Sequence, residues 1–166
     1  MRLKPALLVI DIQNKWIDSN QDLRACVELR VDVINSAIAL FRKKGLPVIV
    51  VHHVDIEEGP YPGTEDFEFL PSIAVDKSDV RVIKNYPNAF NKTELEGILR
   101  KAGADTVILC GLSATACVMA TYVGAQDRDL HAYLLRDGVA AGSEQNVRFT
   151  EEIFETLSLG ALGQIL

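Results

Sequence analysis

The sequence is short of several features, and each shortage removes a class of protein. It has no long hydrophobic run: the apolar stretch before Asp11, Pro5 to Ile10, is six residues, too short for a membrane span or a signal segment with its cleavage site. Export is not expected, and the cytoplasm is the default compartment. Cysteine is scarce, with only Cys26, Cys110 and Cys117, an odd number without C-x-x-C spacing, so a disulfide framework is excluded and the three read as reduced thiols. Basic residues are few and scattered, 17 Lys and Arg against 23 Asp and Glu, and the net charge of -6 would repel nucleic-acid phosphates and anionic lipid. No nucleic-acid or membrane partner is expected; a small molecule is. There is no internal repeat and no low-complexity segment.

What is present is apolar and periodic. With 166 residues and 48% hydrophobic composition, residues 1–166 suffice for one domain with its own core. Ala6 to Ile10 is a continuous apolar run, read as a strand buried on both faces and ending at Asp11. Val27, Val31, Ile34, Ala37, Ile38 and Phe41 recur at helical spacing, which predicts one helix from Leu23 to Lys44, stopped by Gly45-Leu46-Pro47. Strands follow at Val48–Val51, Val80–Ile83 (ending at Lys84), Thr106–Cys110 and His131–Leu135. Helices are expected over Thr93–Ala102, Ala114–Asp127 and Gln145–Leu157, with a final short strand at Gln164–Leu166. Residues 53–78 carry Gly59, Pro60, Pro62, Gly63 and Pro71 among several acids, and read as a long loop of the functional kind. The alternation implies an α/β fold, a three-layer α/β/α arrangement around a mostly parallel, Rossmann-like sheet of about five to six strands.

In such sheets ligands bind beyond the carboxyl ends of the strands, near the point where strand order reverses. Asp11, Lys84 and Cys117 are placed there: a carboxylate, an ammonium and, just past the fourth strand, a thiol near a helix start. A helix N-terminus and a nearby cation both favour a thiolate, and a carboxylate in reach can take and return its proton. Position alone leaves other roles open. Asp11 could simply end a strand, Lys84 could be a solvated loop lysine, and Cys117 could be a small core residue.

The text around these residues narrows the choice. LLVIDIQNKW, VIKNYPNAF, ILCGLSATACV and LLRDGVAAG, in that order and spacing, resemble the isochorismatase-like cysteine hydrolases, a family that includes nicotinamidases, N-carbamoylsarcosine amidase and ureidoacrylate amidases. The resemblance implies Asp11 as general base, Lys84 as the positively charged triad member and Cys117 as nucleophile. It also implies a cis peptide at Leu112-Ser113, an oxyanion hole from the Ser113 and Cys117 N–H groups, a homo-oligomer, and an aromatic pocket position at Trp16. His53, Tyr86 and Phe90 are further pocket candidates. The chain departs from the family at Ala114, where many members have Thr. It offers only His52-His53 where nicotinamidases have an Asp-x-His segment and a further His, so no metal and no cofactor is expected.

The expected activity is therefore cysteine-dependent hydrolysis of a C–N bond in a small amide or ureido compound through a thioester. Two alternatives stand beside it: a non-catalytic small-molecule-binding module on the same sheet, and a vinyl-ether hydrolase of the isochorismatase type. Gly111-Leu-Ser-Ala-Thr-Ala lacks the glycine pattern that lets a backbone cradle phosphate, which weakens the nucleotide-binding form of the first.

Overall fold

The computed structural model describes residues 3–166. Six strands form its centre: β1 (Pro5–Ile10), β2 (Val48–His53), β3 (Val80–Lys84), β4 (Thr106–Leu112), β5 (His131–Ala140) and β6 (Thr156–Leu157). All pair in parallel, in the order β3-β2-β1-β4-β5-β6. The two central strands, β1 and β4, are buried at every residue, which is why they are written as unbroken apolar runs. The edge strand β3 alternates instead, with Val82 and Lys84 buried and Val80 and Ile83 exposed.

The helices are α1 (Asn14–Asp18), α2 (Gln21–Glu28), α3 (Val31–Lys43), α4 (Leu95–Lys101), α5 (Met119–Gln126), α6 (Glu144–Ile153) and α7 (Leu159–Ile165). From β1 the chain moves one way through β2 to β3, and from β4 the other way to β6. Right-handed crossovers in opposite directions put their helices on opposite faces of the sheet, which gives the expected three layers. Among the described residues no helix is long and apolar enough to cross a membrane.

Three expectations need correction. The single helix expected over Leu23–Lys44 is two, α2 and α3, broken at Leu29-Arg30. There the Arg30 side chain turns inward, and its Nη1 donates to Cys26 O at 3.0 Å and Glu144 Oε1 at 2.6 Å. The apolar spacing runs through the break without changing phase, so periodicity does not register it. The last helix is shorter than expected, because Thr156–Leu157 pairs with Leu134–Leu135 as the sixth strand. Gln164–Leu166, expected as a strand, instead closes α7. That helix is started by Ser158, whose hydroxyl accepts from Ala161 N at 3.1 Å, an ordinary N-cap. β5 also runs past Leu135 to Ala140, through an irregularity at which Asp137 has φ 60° and the register to β4 shifts.

Candidate active site

The strand order reverses between β1 and β4, so a crevice opens at the carboxyl ends of the middle strands. Asp11 leaves the end of β1 in the left-handed region, φ 54°, which a short polar side chain tolerates better than most. Beside it, Gly111 sits at φ 107°, and a Cβ there would lie 2.1 Å from Ile10 O. Only glycine lets β4 come this close to β1, and the close approach brings the two strand ends together. The next peptide, Leu112–Ser113, is cis. Ala114–Val118 then forms a single π-helical turn, closed by Val118 N donating to Ser113 O at 3.1 Å. Such wide turns recur at functional sites, and Cys117 lies on this one.

These elements converge on the Lys84 ammonium. Lys84 Nζ is 2.8 Å from Asp11 Oδ2, 3.2 Å from Cys117 Sγ and 2.9 Å from His53 Nδ1. Two of its protons are directed at Cys117 Sγ and His53 Nδ1, and Asp11 is held by the charge of the close ion pair. His53 reaches it because His53 and Lys84 are register partners on β2 and β3, with side chains on the same face. Since Nδ1 faces a donor, the proton of neutral His53 belongs on Nε2. Burial, and secondarily Lys84, push the His53 imidazole down to about 4, so it is neutral near pH 7.

Burial raises the Asp11 carboxyl above the usual carboxylate range, with Lys84 pulling the other way. Neither Asp11 oxygen has a hydrogen-bond partner of good direction among the described residues, despite the short ion pair. The carboxylate thus keeps acceptor capacity facing the crevice. The Cys117 thiol is pushed up to about 11, first by burial and next by the Asp11 charge, both of which outweigh Lys84. The pull of the helix start and the ammonium toward a thiolate is thus overridden by burial and the Asp11 charge. Near neutral pH the group is a thiol beside the Lys84 ammonium.

A cavity of about 360 Å³ lies over the group, lined by Asp11, Trp16, His53, Asp55, Glu58, Leu112, Ser113 and Cys117. This is small-molecule size. Among the three cysteines Cys117 alone is reachable; Cys26 and Cys110 are buried, and all three are unpaired. Trp16 and His53, both expected in the pocket, are there, their ring centroids 5.8 Å apart. Tyr86 and Phe90, also expected, are not among its lining residues. Past Lys84 the chain turns away to α5, where Ala89 N donates to Thr121 Oγ1 at 3.0 Å and Phe90 lies under Arg128 at 4.8 Å. His52 faces the other side, stacked on Phe67 at 4.4 Å and tilted against Phe69 at 4.7 Å.

An isochorismatase domain, as a protein-family model, matches residues 5–156. The chain belongs to the isochorismatase family. It is similar to the uncharacterised isochorismatase family protein YddQ of Bacillus subtilis, 29% identical over 84% of this chain and 79% of that one. It is similar to the maleamate amidohydrolase of Pseudomonas putida, 28% identical over 82% and 72% of the two chains. The structure of N-carbamoylsarcosine amidase from Thermoplasma acidophilum superposes with a TM-score of 0.81 at 28% identity, covering 94% of this chain and 95% of that one.

Within this isochorismatase-family hydrolase, Asp11, His53 and Cys117 also offer ligand atoms within 4.8 Å of one another, a spacing that could suit a metal ion. The Lys84 ammonium touches all three, so the cation their charge and lone pairs call for is supplied by the chain itself.

Three residues of the site are absent from the sequence reading. Gln13 clamps the backbone of His53, its Oε1 accepting from His53 N at 2.8 Å and its Nε2 donating to His53 O at 3.1 Å. Its place two residues after Asp11 in an extended segment was the available signal. Asp55 and Glu58 line the cavity from the loop after β2, and an acid pair three apart in an aperiodic loop carries no such signal.

Proposed function

We propose that this isochorismatase-family hydrolase cleaves a C–N bond of a small amide or ureido compound through a thioester on Cys117. The observation that carries the reading is one ammonium, Lys84 Nζ, bridging a buried carboxylate at 2.8 Å and a thiol at 3.2 Å on the wall of a cavity. The names of two relatives, an amidohydrolase and an amidase, support the reaction class.

In this mechanism Asp11 takes the Cys117 proton as the sulfur attacks the planar carbonyl carbon. The Ser113 and Cys117 N–H groups receive the developing oxyanion. Collapse breaks the C–N bond, and Asp11 passes its proton to the leaving ammonia or amine. Water then enters, gives a proton to Asp11 and attacks the thioester, and the C–S bond breaks as the thiol regains the proton. Lys84 keeps its positive charge throughout and holds Asp11, Cys117 and His53 in place. No metal is used, because the ammonium sits where one would bind. The three unpaired thiols support a reducing, cytoplasmic location. Exposed Leu29, Phe149 and Ile153 support a homo-oligomer, which sedimentation at micromolar concentration tests.

A panel of small primary amides and ureido compounds, assayed for ammonia release before and after dialysis against a strong chelator, tests the function. Ammonia release that survives the chelator and is lost in Cys117→Ala is expected. Release that persists in Cys117→Ala would overturn the reading.

A further inference from the structure

The charge of the cavity wall bears on which amides can enter. Of its eight lining residues three are acids, Asp11, Asp55 and Glu58, and the one basic side chain, His53, is held neutral. Lys84 lies behind the wall, its side chain wholly buried and ion-paired with Asp11, so it is not presented to a substrate carboxylate. Another cation, Lys15, lines the adjoining cleft with Asp18, Glu58 and Asp66, and its Nζ donates to the Glu58 backbone carbonyl. The loop that forms this side of the mouth deepens the bias. Between Lys44 and Lys77 the sequence has no Lys or Arg, while Asp55, Glu57, Glu58, Glu65, Asp66, Glu68 and Asp76 all fall there. A second, independent feature points to a ligand at this place: the Asp11 carboxylate is buried, faces the cavity and lacks a well-directed partner.

Resting on the amidase reading, we propose that the cavity excludes carboxylate-bearing substrates and takes neutral or cationic amides, whose far end lies between Asp55 and Glu58 against Trp16. A cation placed there gains from both carboxylates and from the indole face, whereas an anion meets two like charges against one cation, Lys15, whose Nζ lies 5.8 Å from the Trp16 ring centroid and is already bonded to the Glu58 carbonyl. The geometry keeps one of these charges fixed: Asp55 Oδ1 accepts from both Glu57 N and Glu58 N at 2.9 Å. Those same bonds hold its carboxyl below the usual range, so it stays ionised near neutral pH.

The test uses Cys117 itself as the reporter, which makes it independent of turnover. The purified protein is labelled with a cationic reagent, trimethylammonium-ethyl methanethiosulfonate, and separately with its anionic counterpart, sulfonato-ethyl methanethiosulfonate. Each rate is divided by that of the same reagent with a free small thiol, and peptide mapping identifies the labelled cysteine. The expected corrected ratio at Cys117 favours the cation by roughly tenfold or more at low ionic strength and shrinks as salt is added. In the Asp55→Asn/Glu58→Gln variant, which preserves shape and the turn acceptor, the ratio falls toward one. A ratio at or below one, a ratio the double variant leaves unchanged, or failure of the reagents to reach Cys117 overturns the proposal. A panel of matched cationic, neutral and anionic amides separates this failure from that of the underlying reading. Fastest ammonia release from the anionic amides overturns the charge proposal alone. Cation-selective labelling without ammonia release from any amide leaves the charge proposal standing and removes the amidase.

Discussion

Arg30 and Lys84 are both buried cations, yet their surroundings differ in kind. Arg30 is held by the carbonyls of Val139 and Cys26, each at 3.0 Å, and by both oxygens of Glu144 at 2.6 and 2.7 Å, a carboxyl that the guanidinium holds below the usual range. The pair is bidentate and Glu144 is half-exposed, so it can be rehydrated if the pair is broken. Lys84 is held by a carboxylate, a thiol and an imidazole, each of which can gain or lose a proton, and its side chain and that of Asp11 are almost wholly buried. One cation fastens α2 and α3 to the far half of the sheet. The other stands among a carboxylate, a thiol and an imidazole on the wall of the cavity. Neither burial of a charge nor a carboxylate partner by itself marks a site; a cluster of several titratable partners that opens on a cavity does.

Substituting each cation sharpens that contrast, and the largest effect is expected at Lys84. Lys84→Met strands the Asp11 charge in the interior and should cost about 3 to 5 kcal/mol of stability, as breaking a buried pair does. Activity should be lost as well. Arg30→Met should cost less, about 1 to 3 kcal/mol, while the folded fraction keeps its kcat/KM within a few-fold. Denaturant titration with parallel ammonia-release assays measures both. A Lys84→Met/Asp11→Leu double variant should regain much of the stability and none of the activity. Equal activity losses at Arg30 and Lys84 would erase the distinction.

A second prediction concerns acid. His52 and His53 are both held at about 4 against an ordinary 6.5, mainly by burial. Their folded values are depressed, so the stability they contribute is complete above about 6.5 and is lost as pH falls through about 4. Unfolding midpoints should therefore drop across that window, and His52→Phe, which keeps the stacking on Phe67 and Phe69, should flatten the drop. An unchanged slope in His52→Phe would mean that other groups set the acid limit.

The smallest effect is expected at Gln13, which touches no reacting atom and positions His53 through two backbone bonds. Gln13→Leu should remove about 1 kcal/mol per bond and raise KM more than it lowers kcat. A change confined to thermal stability, with KM unmoved, would reduce Gln13 to a structural role.

Asp11 was legible because it ends an unbroken buried apolar run, and Lys84 because it ends a short strand whose Val82 and Lys84 share the buried face; a charge at a strand's carboxyl end is recorded directly in the linear sequence. Cys117 was legible through the segment around it and its place after β4. The state of its thiol was not, since that depends on the balance of burial, Asp11 and Lys84 in three dimensions. The cavity rim was hidden for a related reason. The loop carrying Asp55 and Glu58 takes its shape from distant tethers, Asn14 Nδ2 donating to Glu65 O at 2.8 Å and Leu70 N donating to Ile12 O at 3.0 Å. No local period encodes such contacts. The break at Arg30 and the two-residue strand β6 escaped because neither alters the spacing of apolar residues over a window long enough to see.

The central claim, a covalent intermediate on Cys117 with Asp11 as the proton carrier, is tested most directly by acid quench of the enzyme during turnover of an amide found in the screen. Intact-mass analysis should then show a transient increase equal to the acyl group, mapped to Cys117. The adduct should be absent in Cys117→Ala and persist longer in Asp11→Asn, where water lacks its base. Steady turnover with no adduct at any time, or an adduct on another residue, would contradict the account.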